Sequence, residues 1–178
     1  MRRTSYGLTV IAAVGLAVCA GWAISTQAKY TVSVPNGLAF SECRGYESWQ
    51  VVSISQDGNL IAAILANPVM IKAYSAGVPG NGKPFPDGSK IAKIEWKPKK
   101  STEAPFSVRI PDVLQDVFLI EKDNKRFPNT KGWAYAVFVH DPASDEFKAD
   151  ATGVVNCGFA CHTRVAAKDY IFTSYGKR

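Results

Sequence analysis

Two cysteines and a histidine stand together near the end of the chain, in Cys157-Gly158-Phe159-Ala160-Cys161-His162-Thr163. Thiols and an imidazole at this spacing admit two chemistries. In the first, both thiols bond the vinyl groups of a haem and the adjacent imidazole reaches the iron, as in the C-x-x-C-H attachment site. Here three residues separate the cysteines instead of two. Gly158 follows the first cysteine, and glycine would tolerate a positive φ if the extra residue bulged outward. In the second chemistry, Cys157 and Cys161 close a small disulfide loop and His162 is a bystander. Zinc fits less well, because four ligands are usual and no second Cys/His pair lies nearby in sequence. The other histidine, His140, ends an apolar run before Asp141-Pro142 and reads as an exposed rim residue.

The leader bears on how these cysteines are read. Arg2 and Arg3 precede a long apolar run, and small and polar residues follow to Ala28. That is the layout of a cleaved secretory signal over residues 1–28, which predicts export to the periplasm. An exported protein meets an oxidising compartment, where free thiols are unusual. Cys43, Cys157 and Cys161 follow the leader. Three is odd, so either chemistry leaves one cysteine without an intramolecular partner.

The remainder, residues 29–178, is long enough for one domain with one core. The whole chain carries a formal charge of +6, and losing the leader removes two arginines and no acid. The lysines are dispersed, so the charge forms no nucleic-acid footprint. A mildly basic exported protein suits an acidic redox partner.

Several elements must position the cysteine–histidine segment. Ser48 to Ser55 reads as a strand, Asp57-Gly58-Asn59 as a turn, and Leu60 to Leu65 as strand or helix. Asn67 caps a helix with Pro68 at its first position. Val69, Met70, Ala73 and Tyr74 form the apolar stripe, and Gly77 stops it. The loop GVPGNGKPFPDG is dense in glycine and proline, a type that is often functional. Ser89 to Lys97 alternates as a strand, with Ala92, Ile94 and Trp96 on one face and Ile91, Lys93, Glu95 and Lys97 on the other. Short strands follow at Phe106 to Ile110 and Asp116 to Lys122, and a strong one at Trp133 to His140. Arg164 to Tyr175 would continue a helix from the cysteine segment. The sum is an α+β fold, a mainly antiparallel sheet with a few packed helices.

GYESWQVVSIS, NPVMIKAYSAG, PFPDGSKIAKIEW and CGFACHT occur in this order across nearly the whole exported chain. In these stretches the protein resembles the cytochrome P-460 and cytochrome c′-beta family of exported c-type haem proteins. The resemblance implies a mainly antiparallel domain, usually a homodimer. It implies covalent haem c on Cys157 and Cys161, with His162 as the proximal iron ligand and the opposite iron face open to a small ligand. In the hydroxylamine-oxidising branch a strand lysine is cross-linked to the haem, and its place in this chain is Lys93. Alternation alone reads Lys93, Glu95 and Lys97 as a solvated strand face. Lys90 and Lys93 point to opposite faces, so only one can meet the haem. The family motif has two residues between its cysteines. The third residue here bears on the bond to Cys157, not on ligation by His162.

Three functions follow. In the first, the haem oxidises hydroxylamine or a related nitrogen compound and passes electrons to an exported partner, with Glu95 taking protons. In the second, an unlinked haem binds nitric oxide in a pocket lined by aromatics, with Phe85 and Phe106 as contributors. In the third, the same fold holds a Cys157–Cys161 disulfide and no haem.

Overall fold

The computed structural model describes residues 29–35, 38–150 and 158–176. The expected leader and Cys157 lie outside the described residues. Six strands form one sheet in chain order, each antiparallel to the next. They are β1 (Gln50–Asp57), β2 (Leu60–Ala66), β3 (Lys90–Lys100), β4 (Arg109–Lys122), β5 (Trp133–Asp141) and β6 (Glu146–Ala149). The fold is α+β, as the alternation indicates. The apolar run after the Asp57 turn is a strand because both of its faces are covered. Leu65 is buried on one side and Ile64 and Ala66 on the other. The strands expected at Phe106 to Ile110 and Asp116 to Lys122 are joined in the single strand β4, which starts only at Arg109 and carries a bulge. Glu95 pairs with Asp116 and Trp96 with Leu114, so Gln115 is the extra residue.

The sheet has two covered faces. On the first lie Leu65, Ala92, Val117, Leu119, Ala134, Ala136 and Phe138. The N-terminal segment closes this face with Leu38, Phe40, Cys43 and Tyr46. On the second face Ile64, Ala66, Ile91, Trp133 and Tyr135 meet Met70, Tyr74, Phe85 and Ile171. Helix α1 (Pro68–Ser75) and the C-terminal segment supply that cover. Asn67 caps α1 as expected, its Oδ1 accepting from Met70 N–H at 3.1 Å. The same oxygen accepts from Lys90 N–H, and Asn67 Nδ2 donates to Gly88 O. One side chain therefore ties helix, loop and strand together. Val69 lies off the buried stripe and is exposed.

The Gly- and Pro-rich loop is a structural plug. Its Phe85 is fully buried, with ring centroids 5.0 Å from Tyr74 and 6.1 Å from Trp133. Phe106 is 76% exposed at the tip of the β3–β4 hairpin. Of the two aromatics expected to line a ligand pocket, Phe85 is thus closed into the core and Phe106 stands in solvent. The tail is helical only to Lys168, as a 3-10 turn over Thr163–Lys168. Asp169 and Tyr170 then adopt φ of 48° and 64° and turn the chain back.

Candidate haem site

The cysteine–histidine segment lies on the second face, against Tyr135. It begins with a π-type turn at Gly158-Phe159, tightens to an α-turn over Ala160–His162, and ends in the 3-10 turn. A π-turn accommodates an added residue inside a helix and is common at functional sites. The residue in excess of C-x-x-C-H is met where this wider turn occurs. Gly158 is required for space. A Cβ there would lie 2.6 Å from Tyr135 Cβ and 2.8 Å from its Cγ. Its φ is not in the positive range, so the expected conformational role is replaced by a steric one. Cys161 is exposed on the same turn.

His162 is held on three sides. Its ring centroid is 4.7 Å from that of Tyr135 and 4.8 Å from that of Phe172. Its Nδ1 lies 2.5 Å from Tyr170 O. A carbonyl only accepts, so Nδ1 carries the proton and Nε2 presents its lone pair. Burial holds the imidazole below its usual pKa, outweighing the Tyr170 hydrogen bond, which acts to raise it. A neutral ring with a free Nε2 is the form that ligates iron.

The strand candidates share that face. In register, Ile64, Lys93, Phe118 and Val137 form one row across β2 to β5. Ala62, Glu95, Asp116 and Val139 form the next. Lys93 Nζ is ion-paired with Glu95 and lies 4.8 Å from the Phe118 ring centroid. Glu95 is buried at 6% exposure, so this is not the solvated face that alternation suggests. Asp116 sits across from Glu95. Burial, and then the Glu95 charge, raises its pKa. Tyr135 and Lys93 are two strands and two residues apart, a separation of roughly 12 Å from strand and residue spacings. Between and beside them the sheet is only partly covered: Phe118 and Val137 are half-buried, and Val139 and Phe172 are exposed. An imidazole nitrogen beside an incompletely covered apolar face is a donor set and surface that suit a haem. Lys90 points to the opposite face, where its Nζ donates to Glu42 O at 2.7 Å.

The remaining candidates fall elsewhere. His140 is on the first face, with Nε2 2.9 Å from Asp145 Oδ1 and Nδ1 3.3 Å from Leu114 O. Its side chain is 9% exposed, so it is a pinned inner residue, not the exposed rim expected. Cys43 is a core thiol on that same first face. Burial pushes its pKa up to about 12. Among the described residues no group of His, Cys, Asp and Glu side chains gathers as a metal site. Sequence reasoning missed Asp116, Phe118 and Tyr135. Alternation in WAYAVFVH sets Tyr135 on one face. Only the strand register brings Asp116 beside Glu95.

The model of the family described as Cytochrome P460 matches residues 43–173. The match spans the sheet, Lys93, Glu95 and the whole cysteine–histidine segment. No curated protein matches the chain significantly. The chain belongs to the cytochrome P460 family, which implies a haem cofactor.

Proposed function

From this membership we propose that the chain is an exported c-type cytochrome that oxidises hydroxylamine or a related small nitrogen compound. Its electrons pass to an exported redox protein. Cys157 and Cys161 hold the haem, and His162 Nε2 ligates its iron. Residues 1–28 direct the chain to the periplasm, where it works as a homodimer. The bound haem supplies an iron that coordinates the substrate and accepts its electrons.

The carrying observation is the pair of carboxylates, Glu95 and Asp116, on the face that holds His162. Each electron taken from an N–H or O–H group leaves a proton to be removed. Asp116, with its pKa raised by burial, is suited to accept one. Glu95 holds Lys93 beside it. Phe118 and Val137 give the surface between them an apolar, half-buried character. A reversible gas binder needs no proton acceptors there.

A second reading has its own observation. Lys93 is paired with Glu95, and a charged ammonium cannot attack carbon. An unlinked haem that binds nitric oxide reversibly is the consequence if that pair persists.

The test is intact mass and absorption of protein matured in a periplasm with haem-attachment machinery, followed by hydroxylamine-dependent reduction of an artificial acceptor. The reading expects one added haem mass, a reduced Soret band shifted to the red, and turnover. Glu95→Gln and Asp116→Asn should each slow turnover roughly 100-fold with haem content unchanged. Haem with an ordinary reduced spectrum, nitric oxide binding and no turnover would favour the gas binder. No haem mass, with a Cys157–Cys161 disulfide, would overturn both.

A further inference from the structure

Close to the His162 segment in the chain, Asp169 forms a buried ion pair with Lys122 of strand β4. Lys122 is 3% exposed. Its Nζ donates to Asp169 Oδ1 at 3.0 Å, to Oδ2 at 3.3 Å and to Lys131 O at 2.9 Å. It also lies 4.8 Å from the Trp133 ring centroid. Asp169 Oδ2 accepts from Phe85 N–H at 2.8 Å. The carboxylate is thus held from strand β4 and from the proline-rich loop at once. Asp169 and Tyr170 are both left-handed, a conformation that non-glycine residues keep only when their surroundings enforce it. It is this reversal that brings the Tyr170 carbonyl back to His162 Nδ1.

We infer that Asp169, locked by Lys122 and the Phe85 amide, is the positioning residue that holds the Tyr170 carbonyl on His162 and so sets the donor strength of the iron ligand. The inference rests on the proposed role of His162. A partner on the remote nitrogen orients an imidazole and raises its basicity, and its loss typically costs ten- to a hundredfold at the metal. A weaker donor favours ferrous over ferric iron. A tenfold change in that balance is a positive shift of about 59 mV for a one-electron couple.

The experiment uses haem-loaded full-length protein and reads the ferric/ferrous midpoint potential and the iron–histidine stretch by resonance Raman. His162→Gly is the control for ligation. Asp169→Asn removes the charge and leaves Lys122 buried without a counterion. Lys122→Met/Asp169→Asn removes both charges and keeps the test available if the single variant does not fold. The expected result is a potential raised by about 59 mV and a lowered stretch in either variant, with Asp169→Glu partly restoring both. A folded double variant with unchanged potential and stretch, where His162→Gly alters the spectrum, overturns the positioning role and leaves the ligand reading intact. A spectrum unaltered by His162→Gly overturns the ligand reading and this inference with it.

Discussion

Gly158→Ala should weaken both the fold and haem attachment. The added methyl would stand 2.6 Å from Tyr135 Cβ and 2.8 Å from Tyr135 Cγ. Carbon atoms rest comfortably at about 3.5–4.0 Å, so the overlap is about 1 Å. Cβ is fixed to the backbone of β5, where Tyr135 pairs with Ile120 of β4, and no rotamer of Tyr135 moves it. The helical turn must lift instead. Overpacking of this kind costs about 1–3 kcal/mol, and this overlap belongs at the upper end. Replacing glycine in a helical turn returns at most about 1 kcal/mol. The net loss is about 2 kcal/mol, or roughly 4–8 °C in Tm for a chain of this size. Lifting the turn also draws His162 off Tyr135, so under the proposed attachment the fraction of haem-loaded protein should fall. The assay is thermal unfolding by circular dichroism, with intact mass for haem content. An unchanged or higher Tm with full loading would refute the steric argument. Tyr135→Phe should not rescue the variant, because the clashing atoms remain.

Three further outcomes are expected. Asn67→Ala removes the α1 cap together with bonds to Lys90 N–H and Gly88 O. Urea unfolding should report a loss of about 2–3 kcal/mol. The Glu42–Glu121 pair makes stability depend on pH. Burial and the hydrogen bond to Glu42 raise Glu121 to about 7. At Glu42 the Arg126 fork, the Glu121 bond and the Ala39 amide outweigh burial and lower the pKa. Between the ordinary carboxylate range and pH 7 the folded state binds the extra proton at Glu121, so stability falls as pH rises through that window. The Glu42 contribution is present above its ordinary range and is lost as pH drops below it. Denaturant midpoints from pH 3 to 8 should therefore peak in mild acid, and Glu121→Gln should flatten the decline above the peak. Cys43 should resist alkylation in the native protein and react once the chain is unfolded, since its thiol is fully buried. Peptide mapping after iodoacetamide reads this directly.

Local chemistry made much of this protein legible in its sequence. Asn67-Pro68 announces a helix start because a side-chain oxygen and a fixed φ act within one turn. Alternation set Lys90 and Lys93 on opposite faces and gave the antiparallel plan, since a strand's side chains obey a period of two. The cysteine–histidine spacing left haem and disulfide both open, and the family stretches pointed to haem, which membership in the family implies. Tertiary structure decided what depends on neighbours distant in the chain. It turned an apparently solvated strand face into a buried Glu95 beside Asp116, because register pairs residues 21 positions apart. It made Gly158 a matter of room against Tyr135, since a clash belongs to two segments and is written in neither. It also made Phe85 a plug and His140 an inner residue. The imidazole's free nitrogen was decided last, by a carbonyl at Tyr170 that a buried lysine on β4 holds in place through Asp169.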